Sequence, residues 1–325
     1  MKFCLLSFFL CLPLSVFGQQ VTIAPYYGGR QAALSLTFDD GLLDQYTLAF
    51  PQLKSRGLKA TFAIIGSKVG GIIRSKQDRI DHTDGTPVMT WNMIREMAAD
   101  GQEIASHGWE HRAVTRLSPD ELHREVFLND SVLQAEVGIR PLTFVYPGNN
   151  KSDSTVVFCE QNRVGSRTFQ MSLGSKRTLP FLQNYIDSLI THGEWGVTMT
   201  HGISRGYDHF SDPQVLWHFF DYISERQDRL WIAPLCDVSA YIRERDNTTL
   251  SISNQDGTTV ITLHTSLSPS LFVHPLTLML PSRPVVRQVE QGGKPLSVYV
   301  RGGHQLVDVN LHDGSIRITC NQNIQ

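Results

Sequence analysis

Long apolar runs are nearly missing from this 325-residue chain. One opens it, and beyond that no stretch of about 18 apolar residues exists to make a membrane-spanning helix. Runs of one charge are missing too. Lysine plus arginine (29) and aspartate plus glutamate (31) almost balance, for a formal charge of −2. With no basic run, a dedicated nucleic-acid or membrane-surface binder is disfavoured. Cysteine is sparse, five in all, and Cys4 and Cys11 sit inside the apolar start. Cys159, Cys236 and Cys320 are widely spaced and form no CxxC, which argues against a thiolate metal site. An odd remainder leaves at least one free or intermolecular thiol, and buried single cysteines are the simpler reading. No internal repeat or low-complexity segment is present.

The apolar start reads as a secretory leader over residues 1–18. Lys2 supplies the charge, Phe3 to Val16 the apolar core, and Val16-Phe17-Gly18 the cleavage positions. No small residue precedes Cys4 or Cys11 as a lipid-attachment site would need. The expectation is a protein exported to the periplasm or beyond the cell, beginning near Gln19, with an uncleaved anchor as the alternative. Losing Lys2 makes the remainder about one unit more negative.

From Ala32 to about Arg245, short apolar runs alternate with amphipathic stretches. Strands are expected at Leu34–Phe38, Ala60–Ile65, Glu103–Ser106, Leu142–Tyr146, Val164–Arg167, Val197–Thr200 and Leu230–Ala233. Helices are expected at Tyr46–Ser55, Thr90–Ala99, Ser118 to Gly138, Phe181–Thr191, Pro213–Arg226 and Val238–Arg245. The third opens on Ser118-Pro119-Asp120-Glu121, a capping box with proline at the first helical position. Strands alternating with helices imply a parallel sheet wrapped by helices, here an α/β fold of distorted or incomplete (β/α) barrel type. Chemistry in such barrels gathers at the strand C-terminal ends. The connection from Gly66 to Val88 is long, so it either overhangs that face or makes a surface excursion. After Asp246 helical periodicity stops. Seven short alternating runs follow, among them Leu296–Val300, separated by turns such as Asp256-Gly257 and Gly302-Gly303. The expected division is therefore a leader at 1–18, a barrel domain at 19–245 and a small all-β, sandwich-like domain at 246–325.

Four strand ends carry unusual residues. The first is Thr37-Phe38-Asp39-Asp40-Gly41, two carboxylates at the mouth of a buried strand. Buried charge is costly without a partner, so the pair suggests a cation, a shared proton or both. The plain alternative is an Asp-Gly turn. The second is Ser106-His107-Gly108-Trp109-Glu110-His111. Two histidines four apart converge on one metal if the segment turns helically. With twelve histidines in the chain, that spacing alone is weak. A carboxylate plus two imidazoles is a common ligand set for a hydrolytic divalent metal. The third is Phe144-Val145-Tyr146-Pro147-Gly148-Asn149, whose turn lets a ligand approach the backbone. The fourth is Val197-Thr198-Met199-Thr200-His201-Gly202, which delivers one histidine.

Taken in order, TFDDG, SHGWEH, FVYPGN and TMTHG resemble the motifs of the polysaccharide deacetylase family, carbohydrate esterase family 4. The resemblance covers about Gln31 to Arg245. It implies a distorted (β/α) barrel that removes acetyl groups from sugars with a divalent metal, zinc first and cobalt, nickel or manganese as alternatives. It implies that Asp40, His107 and His111 bind the metal, that Asp39 is the general base, and that His201 is the general acid. At the third motif, the Gly148 N–H is the candidate oxyanion donor and Tyr146 a candidate substrate contact. Acetylated glycan is the implied substrate. The alternatives are a non-sugar amide hydrolase with the same site and a glycan-binding protein with little turnover.

Two departures stand out. Many members have Arg-Pro-Pro-Tyr where this chain has Val145-Tyr146-Pro147-Gly148, so the arginine that steadies the base is absent. Arg167, at the end of the next strand, is the candidate replacement; the alternative is an ordinary surface arginine. The Asp-and-Trp segment of many members is also not recognisable, which bears on how His201 is oriented. Trp109 and Trp195 offer faces for stacking on sugar rings, but such residues are more often core, and they stay outside the site.

Overall fold

The computed structural model describes residues 21–74, 84–174 and 176–321. The expected leader lies outside the described residues, as does the middle of the 66–88 connection.

Alternation along the first strand of the parallel sheet, β1 (Ala32–Phe38), sets the architecture. Leu34, Leu36 and Phe38 join a layer that includes Leu182, Ile186, Phe219 and Phe220 of the covering helices. Ser35 and Thr37 face the other way, and Asp39 continues their side just past the strand end. Seven more strands complete the sheet: β2 (Thr61–Ile64), β3 (Glu103–Ser106), β4 (Thr143–Val145), β5 (Gly165–Arg167), β6 (Met171–Ser172), β7 (Trp195–Thr200) and β8 (Leu230–Ile232). The order is β5-β4-β3-β2-β1-β7-β6, all parallel, with β8 also on β1. β8 pairs with Ala32–Leu34, and β2 takes Thr37 and Phe38 further along the same edge.

The edge strands β5 and β6 are separated only by Thr168-Phe169-Gln170, yet no ladder joins them among the described residues. The sheet is thus curled until its ends nearly meet, a half-barrel as expected. Two-residue β6 was not foreseen, being too short to show a period.

Helices stand close to their expected places, with three differences. The Ser118 capping box forms as read, and the helix stops at left-handed Gly138. Its middle, Arg124–Leu128, is however a wide π-turn between Pro119–His123 and Asn129–Val137. The helix after β1 likewise begins with a wide turn, Gln45–Ala49. A further helix, Asp153–Cys159, was missed although Ser152 and Thr155 form a capping box.

Two antiparallel sheets follow, of five and four strands. The expected run Leu296–Val300 is broken at Ser297. Lys294–Leu296 pairs in the five-stranded sheet and Val298–Arg301 in the other, so the chain crosses between sheets there. The four-stranded sheet also takes Thr22–Ile23, beside Leu278 and Met279. These sheets share a core with the barrel, in which Ala33, Trp231 and Tyr241 pack with Leu276, Leu278 and Val307.

Candidate active site

The chain turns at once where β1 ends. Asp40 and Gly41 have φ of 74° and 70°. Left-handed backbone is natural for glycine and costs an aspartate about 1 kcal/mol. The turn separates the two acids: Asp39 stays on the inner face and Asp40 swings toward the end of β3. There Asp40 Oδ1 lies 3.4 Å from His107 Nε2 and 3.7 Å from His111 Nε2. Ligand atoms about 2.0–2.1 Å from a tetrahedral ion sit about 3.3–3.4 Å apart, close to both Asp40–histidine distances.

The two histidines converge without a helical turn between them. The segment is an irregular loop that doubles back through Gly108 (φ 79°) and His111 (φ 64°). His107 Nδ1–H donates to the Val145 carbonyl on β4 at 2.8 Å. A carbonyl only accepts, so in the neutral ring this bond fixes the tautomer that leaves a lone pair on Nε2. Burial, then the neighbouring His107, push His111 down to about 4, so its ring is uncharged at neutral pH. Asp40 Oδ1 and His107 Nε2 are buried without a hydrogen-bond partner, an arrangement that costs about 1–3 kcal/mol per atom when nothing fills it. Two orphaned atoms aimed at one point, with His111 beside them, fit a divalent cation. Among the described residues, Asp40, His107 and His111 form a group whose donor atoms lie within 4.8 Å of one another.

Asp39 is 2 % exposed and faces Arg167, also 2 % exposed. Arg167 Nη1 and Nη2 each donate to one Asp39 oxygen at 2.6 Å, and Nη1 also donates to Thr37 Oγ1 at 2.6 Å. Arg167 is therefore no surface residue. In a flat sheet β5 would sit about 19 Å from β1, four spacings of about 4.8 Å; only the curl lets them touch. Burial pushes the Asp39 carboxyl up, but the Arg167 guanidinium more than reverses this and holds it well below the usual range.

His201 extends from β7, with Nε2 3.8 Å from Asp39 Oδ2. Its Nδ1 is buried and has no partner among the described residues, consistent with the missing Asp-and-Trp segment. The Tyr207 ring meets it edge-on at 4.8 Å. Two residues that sequence reasoning missed hold this corner. Gln45 Nε2 donates to the carbonyls of Asp39 (2.6 Å) and His201 (2.9 Å). Asp44 accepts from the N–H groups of Ile203 (2.8 Å) and Ser204 (2.9 Å). Neither carries a local signal, since each reaches the backbone of the His201–Ser204 segment, far away in sequence.

After β4, Gly148 takes φ 59° with open space beside its Cα. The Tyr146 hydroxyl is tied up within the fold. The phenol is buried and donates to Ser166 Oγ at 2.9 Å, and the residue still lines the site cavity. A cavity of about 460 Å³ brings together Asp39, Asp40, His107, His111, Gly148 and His201, with Lys68 and Arg74 of the long connection on its wall.

Residues 27–164 match the family described as Polysaccharide deacetylase. The candidate polysaccharide deacetylase YxkH of Bacillus subtilis is 28% identical over 126 residues, 39% of this chain and 40% of that protein. The peptidoglycan-N-acetylglucosamine deacetylase PgdA of Listeria monocytogenes is 24% identical over 115 residues, 35% of this chain and 21% of that protein. The chain thus spans two-fifths or less of the length of these curated relatives. A crystal structure of a candidate polysaccharide deacetylase from Mycobacterium smegmatis aligns with a TM-score of 0.51 at 13% identity, over 72% of this chain and 98% of that one. That likeness concerns the fold alone. Residues 27–164 are a polysaccharide deacetylase domain of the carbohydrate esterase 4 type, and the chain continues from it into additional antiparallel β-sheets.

Proposed function

We propose that this chain is an exported, metal-dependent deacetylase that hydrolyses N-acetyl, or O-acetyl, groups of a polysaccharide. The observation that carries the reading is one cavity that joins the Asp40/His107/His111 group, two of whose donor atoms are buried without a partner, to Asp39, paired with Arg167, and to His201. A bound divalent ion, zinc first and cobalt, nickel or manganese as alternatives, lowers the pKa of water and polarises an acetyl carbonyl. Asp39 accepts a proton from the attacking water, and Arg167 keeps it ionised and aligned for that task. His201, with its ring nitrogen toward Asp39, returns a proton to the departing amine or alkoxide. The Gly148 N–H, on the lining of the same cavity, is the donor we assign to an acetyl oxygen gaining negative charge. The leader read at residues 1–18 sends the protein to the periplasm or beyond the cell, where acetylated glycans are met. Residues 246–325 form a second domain whose role is structural, a reading supported by the core it shares with the barrel.

Acetate release from chitooligosaccharides, peptidoglycan and acetylxylan, with and without a chelator, tests this reading. At least one glycan should yield acetate, and chelation should stop it. Binding without release would favour a glycan-binding protein, and release only from small non-sugar amides would move the substrate class.

A further inference from the structure

The His107–His111 loop raises a question of support. His107 is held through its ring by the Val145 carbonyl. The His111 side chain is 36 % exposed, no described residue holds its second ring nitrogen, and its backbone is left-handed. Metal-bound imidazoles are normally oriented by a partner on the other nitrogen. Something else must keep this ring aimed at the site.

Glu125 meets that need through the main chain. It lies in the wide turn Arg124–Leu128 and is 2 % exposed. Such turns shift side chains out of helical register, often at functional sites. Its carboxylate accepts from the Glu110 N–H at 3.1 Å to each oxygen and from the Arg112 N–H at 2.9 Å. Those amides flank His111 on both sides. The Glu125 carbonyl accepts a third loop amide, the Trp109 N–H, at 2.8 Å. Gly108 packs so closely that a Cβ there would fall 2.4 Å from Glu125 Oε1. A buried carboxylate accepting backbone N–H groups makes charge-assisted bonds, stronger than neutral ones.

We propose that Glu125 is the positioning residue for His111: it clamps the two amides around that residue and so sets the second imidazole for the metal. The inference rests on reading Asp40, His107 and His111 as the metal ligands.

The test is zinc affinity, by competition with a chromophoric chelator, for the full chain and its Glu125→Leu and Glu125→Gln variants, well below their melting temperatures. Melting of each metal-free protein is recorded in parallel. Glu125→Leu, of similar size with no acceptor, should weaken zinc binding about 10- to 100-fold. Glu125→Gln keeps one acceptor oxygen and should fall between, weaker than wild type by about threefold or more. If Glu125→Leu does not fold, Glu125→Gln decides alone. A lower metal-free melting temperature with zinc affinity unchanged within about twofold would overturn the inference, because Glu125 would then only stabilise the fold. A wild-type chain that binds no zinc would overturn the metal reading itself and this inference with it.

Discussion

Arg167→Ala is expected to cost about 3–5 kcal/mol of stability, because it leaves the buried Asp39 carboxylate without its counter-charge. Acetate release should fall about a hundredfold or more, since the base loses its alignment and its ionised state becomes harder to keep. The pH dependence gives the sign. Arg167 holds Asp39 below the usual carboxylate range. The pair's contribution is therefore fully present above an unfolded value of about 3.9 and is lost as pH falls toward the native value. The stability gap between wild type and variant should narrow in acid, and the acid limb of the variant's activity should move to higher pH. Arg167→Lys should be intermediate, because an ammonium cannot reproduce the two-pronged contact. Chemical denaturation at several pH values, with acetate release beside it, reads both effects. Activity unchanged in Arg167→Ala would remove Arg167 from the mechanism.

Asp39→Asn is the second large effect. The carboxamide cannot take a proton from water, so the rate should drop by about 10²- to 10⁴-fold. Zinc should still bind, because Asp39 is outside the triad of donor atoms. That split separates Asp39 from its neighbour: Asp40→Asn should lose zinc and activity together. An Asp39→Asn protein within a few-fold of wild type would place the base elsewhere.

Much of this site was readable before any coordinates. The alternation Leu34-Ser35-Leu36-Thr37-Phe38 sends Asp39 to the inner face, and the following glycine marks the turn that redirects Asp40. The four strand ends could be recognised because each motif is local. Arg167 was named from its place at the end of a strand, but its contact with Asp39 depends on sheet curl, which no local pattern encodes. The spacing of His107 and His111 left the path between them open, because spacing alone does not distinguish a helix from a loop that doubles back. Gln45 and Glu125 were out of reach for a further reason. Both lie in wide turns that break the helical register, and both hold backbone that only folding brings to them, Gln45 the His201 carbonyl and Glu125 the amides around His111. Their chemistry is visible only after folding. Thr22–Ile23 escaped because two residues carry no period and their partners lie more than 250 positions away.

The central claim is that Asp40, His107 and His111 hold one catalytic divalent ion. Equilibrium zinc titration of metal-free wild type and His107→Ala, with acetate release followed in the same samples, tests it most directly. One zinc per wild-type chain, activity rising in step with occupancy, and neither in His107→Ala is the expected result. Acetate release by the metal-free wild type, or full zinc binding by His107→Ala, would contradict it.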